Sequence, residues 1–407
     1  MKGITIAITN MNIFLSNTIN KLINIFKINN YKCFLVGGAV RDILLNLNPK
    51  EYDFATDAPT NKIKSLFEKY IDVGEPYGCI KIFYEDMWFE ITTFRIDYGY
   101  DDFRHPKTVK FISSPQLDSI RRDFTINSIY TDGITVIDPF NGINDLENNL
   151  IRLIGNKNLK LIEDPLRILR ILKFKSKLNF KIEFLTLMAL KNNINLINKL
   201  NKYRLHEELS YIFNNTYFYD SIDIFRITHG FKIIFNNKEL KINEFKNIKK
   251  LINNFHIKIF CILYFHSNID NSLIIPMLIN NLNFNKNELY ELEIIFKILE
   301  EKKFCNIKLL IKQLILIYNY DITYKILNVL NTYYSSCKNI LKIFYKIKWG
   351  YEPIKYNHLN IELHNIIKNK RSINKYKKYL ITLAHINPHI NEKNILTHLI
   401  KLNSKFF

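Results

Sequence analysis

Nine of the chain's eleven glycines precede residue 156, and only Gly230 and Gly350 follow. Tight turns, which use glycine's freedom at positive φ, are therefore concentrated in the first third of the molecule. There the pattern reads as short strands: Lys32 to Val36, Cys79 to Tyr84, Met87 to Thr93, and one near Thr135 to Asp138. A Glu85-Asp86 turn joins the second and third, and a helical pattern runs from Asn61 to Tyr70. From Asp164 onward apolar residues recur three and four apart with almost no Gly or Pro, the signal for helix packed on helix. No strand run stands out there. The expected class is α+β: a mixed sheet domain followed by all-helical domains.

At 407 residues the chain is long enough for two to four domains, each with a real core. Lysine and arginine number 58 against 38 acidic residues, a formal charge of +20, while 47% of residues are hydrophobic. Such an excess on a packed protein points to a polyanionic partner, nucleic acid first. A composition rich in Asn, Ile and Lys also follows from AT-biased coding, which accounts for part of the charge. The five cysteines, 33, 79, 261, 305 and 337, are odd in number and contain no Cys-x-x-Cys pair, so neither a disulfide framework nor a zinc knuckle is indicated. With no long uncharged apolar run and no secretory pattern at the start, the expectation is a cytoplasmic protein without a membrane partner.

Phe34 to Leu45 reads as a strand, the Gly37-Gly38 turn, and a helix carrying Arg41. Two glycines let backbone approach a ligand, and the helix start aims N–H groups at an anion. Soon after comes Glu51-Tyr52-Asp53, where strand alternation sends both carboxylates to one face. Two acids side by side want a hard cation such as Mg²⁺. Taken singly, the first string is also an ordinary turn and the second a pair of solvated acids; in this order the bland readings lose most of their weight.

These residues resemble the opening signature of the nucleotidyltransferase superfamily in its tRNA nucleotidyltransferase (CCA-adding) and bacterial poly(A) polymerase branch, the class II nucleotidyltransferases. That signature reads Gly-Gly-x-Val-Arg-Asp and then Asp-x-Asp, so Glu51 stands where the first metal-binding Asp is usual. Phe89-Glu90-Ile91-Thr92-Thr93-Phe94-Arg95 resembles a family strand beside the acid pair, which makes Glu90 a third carboxylate. Asp97 to Pro106, including Arg104-His105, is similar to a flexible loop tied to the change from C to A addition. Arg121-Arg122-Asp123-Phe124-Thr125-Ile126-Asn127-Ser128 is similar to the ribose- and phosphate-contacting motif.

Glu163-Asp164-Pro165-Leu166-Arg167-Ile168-Leu169-Arg170 has a sound local account: Asp164 caps a helix, Pro165 fits its first turn, and Glu163 lies four residues from Arg167. The resemblance implies more, that Asp164 and Arg167 read the incoming base and Arg170 follows toward the triphosphate. Lys173 stands where a further Arg is usual. Tyr203 to Leu209 resembles a helix that braces the base reader, with Tyr203 in place of a Glu.

The resemblance covers roughly residues 31 to 215. It implies a catalytic head over 1–155, a helical neck over 156–215, and an RNA-binding body and tail over 216–407. It further implies template-independent CCA addition to tRNA from CTP and ATP, with release of pyrophosphate. Mg²⁺ would sit on Glu51 and Asp53, with Glu90 beside them; Gly37, Gly38, Arg41, Arg121, Arg122, Asp123, Asn127, Asp164, Arg167 and Arg170 would bind nucleotide. The partner would be the tRNA acceptor arm, and no obligate protein partner is indicated. Two alternatives stay open: a poly(A) polymerase, favoured by Ser128, and an RNA-binding relative weakened by Glu51.

Overall fold

The structure is a computed structural model and describes residues 7–9, 13, 15–100, 106–301, 307–350 and 380. The chain divides into two compact units, residues 1–241 with 281–283, and residues 242–280 with 284–407.

The first unit is built on an eight-stranded sheet in the order β1-β10-β9-β2-β3-β6-β5-β4. Its strands are β1 (Ala7–Thr9), β2 (Cys33–Val36), β3 (Asp53–Thr56), β4 (Lys69–Gly74), β5 (Cys79–Tyr84) and β6 (Met87–Thr93). A separate ribbon, β7 (Arg95–Tyr100) with β8 (Pro106–Phe111), intervenes before β9 (Tyr130–Thr131) and β10 (Val136–Asp138) return to the large sheet. All pairings in that sheet are antiparallel except β3 with β6, whose register sets Asp53 opposite Glu90. Glu85 and Asp86 both have positive φ, 44° and 59°, the geometry that a two-residue hairpin turn requires.

One sheet face is closed by two helices. In α1 (Asn17–Ile28) the buried positions Ile19, Leu22, Ile23 and Phe26 follow the i, i+3, i+4, i+7 spacing of an amphipathic helix. With Ile63 of α3 (Thr60–Leu66), after the short α2 (Gly38–Leu44), they lie over Phe54, Ile80, Ile82, Phe89 and Ile91, all at most 1% exposed. Each such side chain withdrawn from water contributes about 1.5–3 kcal/mol. The helix expected to run to Tyr70 ends at Leu66, and Lys69 begins the edge strand β4. Pairing with β5, a long-range interaction, overrides the local helical pattern there.

After the sheet come α4 (Pro115–Ser119), α5 (Gly142–Glu147), α6 (Lys157–Glu163), α7 (Leu166–Leu178), α8 (Phe184–Asn193), α9 (Lys202–Phe213), α10 (Phe218–Ile227) and α11 (Gly230–Ile234). A two-residue strand, β12 (Lys181–Ile182), pairs parallel with β11 (Leu150–Ile151), so the region from Asp164 is not wholly helical.

The second unit holds α12 (Phe255–His266), α13 (Asn271–Asn281), α14 (Lys286–Glu301), α15 (Ile307–Tyr333) and α16 (Ile340–Gly350). Every residue of α12 from Phe255 to Leu263 is buried, including His256 and Lys258. His256 Nε2 lies 2.9 Å from Glu291, which also pairs with Lys325 at 2.8 Å. α15 is broken at Asn319, where φ is 76° and the side chain accepts from the N–H groups of Asp321 and Ile322. No helix of the described residues is long and apolar enough to cross a membrane. The four described cysteines are all thiols.

Candidate active site

The site begins where β2 turns into α2. Gly37 has φ 76°, and a Cβ there would stand 3.2 Å from the Asp53 carboxylate, so both its conformation and its closeness to Asp53 call for glycine. Asp53 opens β3 and faces Glu90 across the parallel pair. Burial pushes the Asp53 carboxyl up to about 6; Glu90 and Glu51 push the same way and Arg122 opposes. Glu90 is exposed and accepts from the Cys79 thiol at 3.1 Å.

Glu51 departs from expectation. The strand begins at Asp53, so Glu51 lies on the exposed approach to it, and strand alternation does not set its direction. Its charge is nonetheless felt at Asp53. Among the described residues no group of three or more His, Cys, Asp and Glu encloses an ion position. The donor chemistry does fit a hard cation: Asp53 and Glu90 are paired in register on one sheet face, and the Glu90 and Glu51 charges add to burial in raising the Asp53 carboxyl.

Arg121 and Arg122 are organised by a residue that sequence reasoning passed over. Asp118, wholly buried, accepts from Arg121 Nε at 2.8 Å, the Tyr130 hydroxyl at 2.7 Å and the Arg95 N–H at 3.0 Å. Arg122 Nη2 lies 3.4 Å from its other oxygen, and Arg122 Nε donates to Tyr130 at 2.7 Å. Burial works against the Asp118 charge, but Arg121, Arg122, Tyr130 and the Arg95 N–H outweigh it and hold the carboxyl below its usual range. The signal was available, since an acid three and four residues before two arginines is within reach of both across one turn.

Arg41 is buried. It donates twice to Asp42, at 2.6 and 2.9 Å, and to the Asn127 side-chain oxygen at 2.8 Å, while its guanidinium lies over Phe174 at 5.1 Å. Asp42 also takes Lys177 at 3.2 Å. Asn127 in turn donates to Asp123 at 3.3 Å, and Asp123 pairs with Arg170 at 3.2 Å. Asp123 is held below its usual range because Arg170 and Arg167 outweigh its burial. Gly38 follows Gly37 at the start of α2 against the Arg41 guanidinium.

Asp164 sits between α6 and α7, accepting from the Leu166 N–H at 3.0 Å. Arg167 donates from Nη1 to the Lys160 carbonyl at 2.7 Å and to Glu163 at 3.1 Å. Its Nε lies 3.9 Å from Asp164 Oδ2, is buried, and makes no hydrogen bond among the described residues. Burial pushes the Asp164 carboxyl above its usual range, with Arg170 and Arg167 pulling against it. Lys173 reaches Glu208 of α9 at 3.1 Å and lies over Tyr211 at 4.3 Å, tying α7 to α9. Of the loop expected between Asp97 and Pro106, residues 101–105, including Arg104 and His105, lie outside the described residues.

Residues 33–152 match the family described as the Poly A polymerase head domain, and residues 179–241 match one described as the Probable RNA and SrmB- binding site of polymerase A. The chain is 42% identical over 179 residues to the CCA-adding enzyme of Lactobacillus johnsonii, a match covering 44% of this chain and 45% of that protein. It is 43% identical over 176 residues to that of Enterococcus faecalis, covering 43% of each. The chain thus spans less than half the length of the curated relatives it matches. Among solved structures, the Bacillus stearothermophilus CCA-adding enzyme in complex with CTP superposes with a TM-score of 0.74 at 21% identity, over 95% of this chain and 97% of that one. The Thermotoga maritima CCA-adding enzyme complexed with tRNA gives 0.69 at 18% identity, over 95% of each. At these identities the likeness establishes the fold.

Proposed function

We propose, for a chain whose residues 33–152 carry the poly(A) polymerase-type head of the class II nucleotidyltransferases, that it adds CCA to the 3′ end of tRNA from CTP and ATP. The observation that carries this reading is the buried Asp164 and Arg167 pair, an acceptor and an unsatisfied donor side by side. Cytosine and adenine each present an amino donor beside a ring-nitrogen acceptor; uracil and guanine present the reverse. A wrong base leaves polar groups unpaired in a buried setting, at about 1–3 kcal/mol each.

The remaining residues fit binding and transfer. Arg122 and Arg121, held by Asp118, would take triphosphate oxygens in bidentate fashion. Arg41 orients Asn127, and Arg170 orients Asp123, so that the latter pair can meet the ribose hydroxyls. Glu51 and Asp53, beside Glu90, would hold Mg²⁺, which supplies a lowered pKa to the RNA 3′-hydroxyl and charge neutralisation to the leaving pyrophosphate. The 3′-oxygen bonds to the α-phosphorus as the bond to the pyrophosphate bridging oxygen breaks, and the hydroxyl proton passes to solvent. The basic region over 179–241 supports a grip on the tRNA acceptor arm by shape and backbone charge. An odd cysteine count with no Cys-x-x-Cys pair supports action in a reducing compartment such as the cytoplasm.

Ser128, the residue that keeps poly(A) addition open at the level of sequence, is fully buried with its hydroxyl 3.4 Å from the Ser119 carbonyl. The test is incubation with tRNA ending at its discriminator base, Mg²⁺, and CTP and ATP singly or together. Ordered C, C, A incorporation supports the reading. An ATP-only tail, or binding with no incorporation, overturns it.

A further inference from the structure

The sheet face that carries Asp53 and Glu90 does not stop at the acids. Strand alternation places Cys79, Lys81 and Phe83 of β5, Trp88 and Glu90 of β6, and Lys69 and Ile71 of β4 on that same face. The alternate residues Ile80, Ile82, Phe89 and Ile91 are all at 0% exposure on the closed face, so the open one is where these side chains must go. Trp88 is 42% exposed and Ile71 48%. Phe83 and Trp88 stand 5.2 Å apart. The Lys69 ammonium lies over the Phe83 ring at 5.4 Å, and that of Lys81 near the Trp88 ring at 6.0 Å. Neither lysine forms an ion pair among the described residues, although Lys81 is opposite Glu90 in register. The surface is therefore aromatic rings with free cations beside them, continuous with the acids of the site.

We propose that this surface is a stacking platform for the unpaired 3′-terminal nucleotides of the RNA primer, with a base on Trp88 and phosphates drawn to Lys81 and Lys69. This rests on the nucleotidyl-transfer reading, because that reaction requires the primer's 3′ end at Asp53 and Glu90. Trp88 is two residues from Glu90 along β6, about 7 Å at strand rise, so neighbouring nucleotides of one strand can reach both. Aromatic rings interleaved with cations are the way proteins hold single strands without reading sequence. An enzyme whose 3′ end changes from the discriminator base to C to C to A needs that tolerance.

The test uses the full chain with Trp349→Phe, which leaves Trp88 as its one tryptophan. Two probes are compared, a blunt RNA hairpin and the same hairpin with an unpaired 3′ overhang, each labelled with fluorescein at the 5′ end. The overhang is expected to quench Trp88 emission and to bind about 10-fold more tightly than the blunt form. Trp88→Ala should erase that advantage, Trp88→Phe should keep most of it, and Lys69→Ala with Lys81→Ala should flatten the salt dependence by about 0.7 per lost phosphate contact. Equal binding of both hairpins by wild type, or an overhang advantage that survives Trp88→Ala, overturns the platform. So does a change in sedimentation with RNA affinity intact, which would make the face a contact between copies of the chain. Loss of the overhang advantage in Trp88→Ala, in a protein that incorporates no nucleotide, would retain the platform and overturn only the catalytic reading.

Discussion

Arg167 holds its Nε 3.9 Å from Oδ2 of Asp164 without closing a hydrogen bond, leaving a buried donor open beside a buried acceptor. If that gap reads the base, Asp164→Ala lowers the preference for CTP and ATP over UTP and GTP by about 10–100-fold, with a smaller change in triphosphate affinity. Competition assays that report kcat/KM for each nucleotide check it. Equal loss of affinity and preference would reduce Asp164 to a helix cap. Because the Asp164 carboxyl is raised, its protonation as pH falls turns an acceptor into a donor, so the preference should also weaken toward acid pH.

Asp53 predicts a distinct pH signature. Its carboxyl titrates at about 6 in the fold against 3.8 for the unfolded chain, so the folded state binds the proton more tightly. The stability this contributes is fully present below 3.8 and is lost as pH rises through 6. Asp53→Asn should therefore be more stable than wild type at pH 7–8, by about 1–3 kcal/mol, and should lose nucleotide incorporation. Urea unfolding across pH measures the first effect. Added Mg²⁺ should narrow the difference by stabilising wild type alone.

Asp118 anchors both Arg121 and Arg122. Asp118→Ala leaves two guanidiniums and the Tyr130 hydroxyl without their shared acceptor, at a cost of about 3–5 kcal/mol. Tyr130→Phe removes one hydroxyl and should cost about 1 kcal/mol. In denaturant titrations the two variants should differ clearly, and Asp118→Asn, if it folds, should raise the KM for nucleotide more than it lowers kcat.

Gly37→Ala joins an unfavourable φ to a Cβ 3.2 Å from the Asp53 carboxylate. It should destabilise the protein by about 1–2 kcal/mol and depress incorporation more than that loss explains. Gly37→Ala added to Asp53→Asn should cause little further loss of activity, because both changes act on one position of the carboxylate.

Part of this protein was settled by residue order alone. The Gly37-Gly38 turn and the Glu85-Asp86 hairpin depend on a few consecutive residues, and local dihedral geometry suffices for each. The contacts of Asp118 with Arg121 and Arg122, three and four residues on, are equally local. Other features lay beyond any local pattern. Lys69 and Tyr70 read as a helix end until β5 offers them a ladder of hydrogen bonds, and Glu51 falls outside a strand whose start is set by pairing with β2 and β6. Arg41 meets Asn127, and Trp88 joins the open face with Lys69, through contacts between distant segments. Such contacts form only when the whole sheet closes one face on α1 and α3, and it is this burial of Phe54, Phe89 and their neighbours that decides which side chains remain on the other face.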